Sequence, residues 1–193
     1  IETSKSIQFF KEILKIPRES GNEKGISEYL CDFARERNLF YICEKYNNVV
    51  IKKRTCDKRP LILQAHTDMV CEKEENLKFD FSKDSIQVME KDGYLTANGT
   101  TLGADNGIGV AQILTILDSD LPCNIEAVFT VSEETSMIGA INFDTGVLQG
   151  KHMLNLDGFE ENTIIIESAC FYDIILKSKF RFRKSNKKNA FRI

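Results

Sequence analysis

A chain of 193 residues, 42% hydrophobic and 28% charged, has room for one domain with a real core, or for one domain and the start of a second. No apolar run approaches the roughly 20 residues that span a bilayer, and no secretory signal pattern opens the chain, so the expectation is a cytoplasmic protein without membrane contact. The net charge of −3 conceals an asymmetry: eight of the 26 basic residues and no acid fall between positions 174 and 193, which leaves 18 basic against 29 acidic residues before them. An acidic body argues against nucleic acid as a partner and suits a protein that binds cations, while the basic segment 177–192 reads as a solvated or frayed terminus.

Ser4 stands where an N-cap belongs, and Ile7, Phe10, Ile13 and Leu14 follow at helical spacing until Pro17 closes the helix. Residues 18–24 read as a polar turn. A second amphipathic helix carries Ile26, Tyr29, Leu30, Phe33 and Ala34 on one face. Strands are expected over 40–44, 49–53 and 61–65, the last short, apolar and ended by His66 as a buried central strand would be. After a charged loop at 69–81, segments 86–91 and 94–97 flank Asp92-Gly93 as a hairpin. A Gly-rich loop at 103–107 leads into a helix over 108–117. Strands at 124–131 and 153–156, a short helix near 137–141 and a strand-like stretch at 164–167 complete the pattern. Strands alternating with helices predict an α/β fold with a mixed, largely parallel sheet flanked by helices. Cys31, Cys43, Cys56, Cys71, Cys123 and Cys170 show no C-x-x-C pair and no histidine at metal spacing, so they read as free thiols of a reducing compartment.

Sites of α/β folds lie where strands end. His66-Thr67-Asp68 follows the strand at 61–65, Asp105 sits in the Gly-flanked loop before a helix, Glu133-Glu134 follows the strand at 124–131, and Asp157 ends the last strand. Each alone has an ordinary explanation: a satisfied histidine beside a solvated acid, a turn, an exposed acidic pair at a helix start, a hairpin turn. Together they supply the imidazole and carboxylate donors that suit zinc, manganese or cobalt, each where a regular element meets a loop.

The stretches L-Q-A-H-T-D-M-V (63–70), G-T-T-L-G-A-D-N-G-I-G (99–109), T-V-S-E-E-T (130–135) and L-N-L-D (154–157) resemble the catalytic domain of the M20 metallopeptidases. The Gly-rich run resembles most their aminoacyl-histidine dipeptidase branch. The resemblance implies a zinc-peptidase-like catalytic domain and hydrolysis of small peptides, Xaa-His dipeptides above all, by a metal-activated water. It implies that His66 and Asp157 hold a first metal, that Asp105 bridges two, that Glu134 binds the second, that Glu133 is the general base and that Asp68 orients His66. The metals expected are two zinc ions, with manganese or cobalt as alternatives. No substrate-binding residue is assigned.

The sequence also departs from the family. The resemblance calls for a further histidine on the second metal from a much longer chain, and His152, at the opposite end of the strand that delivers Asp157, reads as a surface residue instead. Nor is the family's lid domain, which carries substrate-carboxylate and dimer contacts, visible. Residues 1–168 are therefore expected to be the first part of a catalytic domain lacking its C-terminal portion, and 169–193 the start of a lid or a basic tail. A catalytically incompetent chain binding one metal, and another M20 activity (tripeptidase, carboxypeptidase or N-acyl amino acid deacylase), remain the alternatives.

Overall fold

The computed structural model describes residues 4–158 and 163–166. Helix α1 (Lys5–Ile13) starts where the Ser4 hydroxyl accepts from the Ile7 amide, satisfying one of the donors a helix start leaves open. It buries Phe9, Phe10 and Ile13 and stops short of Pro17. Helix α2 (Lys24–Glu36) turns Ile26, Leu30, Phe33 and Ala34 inward at helical period. The chain continues through β1 (Phe40–Cys43), β2 (Val49–Lys53), β3 (Leu61–His66), β4 (Val88–Lys91), β5 (Tyr94–Ala97), α3 (Ala104–Leu117), β6 (Ile125–Thr130), the single turn α4 (Ile138–Ile141), a 3₁₀ turn at Thr145–Val147 and β7 (Met153–Asn155).

Five strands form one sheet in the order β1-β2-β6-β3-β7, and β4 pairs with β5 apart from it. The turn between β4 and β5 has positive φ at both Asp92 (52°) and Gly93 (82°), the backbone that a two-residue hairpin needs. In the main sheet β1 with β2 and β2 with β6 are antiparallel, whereas β3 runs parallel to both β6 and β7. Only β2 therefore opposes the other four strands, which is the mixed α/β sheet expected.

Alternation along the strands decides which face is covered. Val49 and Ile51, Leu63 and Ala65, and Ile125, Ala127 and Phe129 join residues of α1, α2 and α3 in one core. Strand β6 is buried along its whole length, as a central strand flanked on both edges must be. Register then fixes the site. His66 pairs with Thr130 and Gln64 with Asn155, so the parallel strands β3, β6 and β7 release residues 67–68, 131–134 and 156–157 side by side.

On the opposite face Glu126 is a fully buried acid. Lys52 Nζ donates to Oε1 at 2.9 Å, and the amides of Gln149 and Gly150 donate to Oε2 at 2.8 and 2.9 Å. Burial pushes this carboxyl up, but the bonds from Gly150, Lys52 and Gln149 outweigh it and hold it below its ordinary value. The segment that leads into β7 is pinned to the sheet by these bonds.

The chain divides into two units, Ile1–Glu161 and Asn162–Ile193. In the second, residues 163–166 are described, and Ile164, Ile165 and Ile166 are exposed and outside any regular element. The strand expected at 164–167 is thus not formed over these residues; Glu167 and the expected lid or tail at 169–193 lie outside the described residues. Cys31, Cys43, Cys56, Cys71 and Cys123 are free, and Cys170 lies outside the described residues. Among the described residues no helix is long and apolar enough to cross a membrane.

Replacing Glu126 by Gln removes the counter-charge of Lys52 and is expected to cost about 2 kcal/mol at pH 7, a Tm loss of roughly 5 °C by circular dichroism. Because the folded carboxyl lies below its unfolded value of about 4.3, its contribution is present above that pH and lost as pH falls. The Tm gap between the two proteins should therefore narrow below about pH 4; a gap that widens there would contradict the assignment.

Candidate metal centre

His66, at the end of β3, is 1% exposed, and both ring nitrogens face carboxylates. Nδ1 lies 3.3 Å from Asp68 Oδ1 and 3.2 Å from the Asp68 carbonyl. Nε2 lies 3.0 Å from Asp105 Oδ1 and 3.8 Å from Asp157 Oδ2. Burial works against a charged imidazole here, yet Asp68, Asp157 and Asp105 outweigh it and raise His66 to about 9.

Asp68 is completely buried, and both of its carboxylate oxygens accept hydrogen bonds. Oδ1 accepts from the Glu133 amide at 3.0 Å; Oδ2 accepts from the Glu134 amide at 3.1 Å and from Ser20 Oγ at 2.7 Å. Burial alone would raise this carboxyl, but His66, Ser20 and the two amides bring it down to about 2. Glu23 extends the same grip by one residue, its Oε1 accepting from the amide and the hydroxyl of Ser132, each at 2.8 Å. Three successive amides after β6 are thereby held by buried carboxylates, with Ser132 at a left-handed φ of 54°. This fixed turn presents Glu133 and Glu134 next to His66. Burial, against the attraction of His66, pushes both of their carboxyls up, helped by Asp157, Asp68 and Asp105 around Glu133 and by Asp105 around Glu134.

Asp105 enters from the other side. Gly103 takes a left-handed φ of 74°, and Asp105 and Asn106 are non-helical, so α3 is regular only beyond them, in keeping with the loop expected before the helix. Asp105 keeps 64% of its side chain exposed, which leaves it open to an incoming ligand. Asp157, just past β7, is partly buried; burial and Asp105 raise its carboxyl against His66. A cleft of about 230 Å³ opens beside the pair, lined by Asp105, Asn106, Ile108, Leu156 and Asp157.

Two sets of donor atoms lie within 4.8 Å of one another: His66, Asp105 and Asp157, and His66, Glu133 and Glu134. All six residues singled out in the sequence thus meet at one end of the sheet. Asp105 joins the first set and not the second, and His66 belongs to both. His152 is exposed at the start of β7, the far end of the strand from Asp157. The donors fit a divalent metal. Ligand atoms at about 2.0–2.2 Å from a tetrahedral zinc are separated by roughly 3.3 Å, and the Nε2 separations of 3.0 and 3.8 Å bracket that value.

Sequence reasoning missed Arg18, Ser20 and Glu23, which it read as part of a polar turn. Their partners lie 48 to 109 residues away, so no local spacing announces them.

Residues 62–172 match the sequence pattern of peptidase family M20/M25/M40. Over 166 residues the chain is 35% identical to the cytosol non-specific dipeptidase of Escherichia coli K12, covering 83% of this chain and 34% of that protein. The crystal structure of aminoacylhistidine dipeptidase from Vibrio alginolyticus is 37% identical and superposes with a TM-score of 0.79, again over 83% of this chain and 34% of that one. A tripeptidase from Staphylococcus aureus is 26% identical with a TM-score of 0.68, over 80% and 43%. The chain spans about a third of the length of the dipeptidases it matches. With the family pattern covering more than half of its residues, and its strand ends converging on His66, this chain belongs to the M20/M25/M40 peptidase family.

Proposed function

We propose that the chain carries the metal-holding and proton-handling part of a cytoplasmic hydrolase of small peptides, with Xaa-His dipeptides as its substrates. The observation that supports this reading best is one buried imidazole set between Asp68 on Nδ1 and Asp105 with Asp157 on Nε2, with Glu133 and Glu134 beside it. That the Vibrio and Escherichia relatives are both dipeptidases favours dipeptides over the tripeptides of the more distant Staphylococcus protein.

In this reading His66, Asp105 and Asp157 would hold one divalent metal, and Glu134, with Asp105 shared, would serve a second. Zinc suits these donors, and manganese or cobalt would be accepted by the same set. A metal bound there supplies Lewis acidity, polarising the scissile carbonyl and lowering the pKa of a water. Glu133, whose carboxyl is already pushed up by burial and neighbouring acids, would be the group that takes a proton from the attacking water and returns it to the leaving amine. Asp68 occupies the Nδ1 side of His66 and so keeps Nε2 directed at the cluster.

A second reading has its own support. Both donor sets use the same imidazole, so they would compete for it, and in this second reading the chain on its own would take a single metal at His66, Asp105 and Asp157. Calorimetric titration of metal-free protein with zinc separates the two. The single-site reading expects one ion per chain, lost in Asp105→Ala and unchanged in Glu134→Ala; the two-metal reading expects two ions, the second lost in Glu134→Ala.

Removing the carboxylate behind His66 should weaken binding even though Asp68 is not itself a ligand. Asp68→Ala is expected to lose about 10–100-fold in zinc affinity by the same titration, and an unchanged affinity would deny it the orienting role. For activity, the zinc-loaded chain is incubated with a panel of dipeptides and N-acyl amino acids. Release of histidine from Xaa-His substrates, reduced on the order of 100-fold or more in Glu133→Gln with metal content intact, is the expected result. Faster release from N-acyl amino acids would replace the dipeptidase reading with a deacylase one.

A further inference from the structure

Arg18 is the bulkiest fully buried side chain among the described residues, 1% exposed, and lies between the turn that follows β3 and the turn that precedes α3. Burying a guanidinium is costly unless acceptors replace the water it loses. Among the described residues no carboxylate makes an ion pair with it. Instead Nη1 donates to the carbonyls of Thr67 at 3.0 Å and Asp68 at 3.1 Å, and Nη2 donates to the carbonyl of Gly103, while Nε finds no hydrogen-bond partner among the described residues. The backbone joins in, since the Arg18 carbonyl accepts from the Met69 amide at 3.1 Å.

The neighbouring sequence leaves room for this group. A Cβ at Gly103 would collide with Arg18 Nη2, and a Cβ at Gly107 would sit 2.8 Å from it. The two glycines that bracket Asp105 are thus empty where the guanidinium passes. Burial lowers the guanidinium to about 10 against the pull of Asp68, Cys71 and Asp105, so it stays charged at neutral pH. A guanidinium presents its five donors in a rigid planar fork, so it holds carbonyls from two loops in a set geometry, whereas the three donors of an ammonium rotate on a flexible stem.

We propose that Arg18 is a positioning residue of the metal centre: its guanidinium clamps the turn carrying His66 and Asp68 to the turn carrying Asp105, and so sets the 3.0 Å separation of His66 Nε2 from Asp105 Oδ1. This rests on the reading of His66, Asp105 and Asp157 as metal ligands. Arg18 touches none of the three side chains; it acts through the backbone on either side of the gap.

The test compares wild type, Arg18→Lys, Arg18→Met and Leu30→Ala, the last a core cavity in α2 as a control for lost stability. Hydrogen exchange is measured by mass spectrometry on metal-free protein, and zinc affinity by calorimetry. Arg18→Lys and Arg18→Met are expected to remain folded, with exchange at least tenfold faster in residues 66–70 and 103–107, unchanged in β2 and β6, and zinc affinity at least tenfold weaker. Leu30→Ala should lower Tm and leave both loops and the affinity within twofold of wild type. Wild-type exchange and affinity in both Arg18 variants would overturn the clamp, as would equal effects in Leu30→Ala. Global unfolding of both Arg18 variants would also overturn it, making Arg18 a residue of folding rather than of position. A wild-type chain that takes no zinc sinks the metal-ligand reading instead, and loop exchange in the metal-free variants still decides on the clamp.

Discussion

Burying a carboxylate is tolerated only when donors replace the water it leaves, and Asp68 makes that requirement the organising constraint of the molecule. Its oxygens are met by Ser20, by His66 and by two consecutive amides after β6. These donors come from three stretches of chain, so meeting them all fixes the three relative to one another. The oxygen that faces the imidazole Nδ1 is the same one that holds the Glu133 amide. Movement of either would leave an ion without its partner in a place that water does not reach.

The sheet makes that convergence possible. Parallel strands align their C-terminal ends, and β3, β6 and β7 stand next to one another in the order that puts His66 in the middle. On one face the helices α1, α2 and α3 supply an apolar cover. On the other, a buried polar contact at Glu126 ties down the segment that returns to β7, and with it the position of Asp157. Architecture and site are linked through strand register: a slip of one residue in β7 would turn its side chains to the wrong faces.

How much of this was legible in the sequence follows from how local each feature is. An apolar run ended by His66, a Gly-flanked Asp105, Glu133-Glu134 after a strand and Asp157 after another are local signals, and the structure brings all of them to one end of the sheet. The hairpin at Asp92-Gly93 was equally plain, because its turn chemistry is contained in two residues. Arg18, Ser20 and Glu23 were invisible for the opposite reason. A polar residue after a helix reads as solvated until the fold shows which carbonyls or amides lie above it. The isoleucines at 164–166 misled in the other direction: β-branched composition favours a strand, but a strand forms only where a partner offers its edge.

The long reach of these contacts bears on the order of events as the chain folds. Apart from the contact of His66 with Asp68, the bonds that define the centre join residues separated by 39 to 109 positions, whereas each helix closes within its own few turns. Long loops are closed at an entropic cost that is met only once the sheet exists, so β2, β6 and β3 have to pair before Asp68 finds its donors. The centre is accordingly a product of the finished scaffold, and an ion bound there would meet it only in the closing steps of folding, where it would slow the return journey to the unfolded chain rather than hasten the way there.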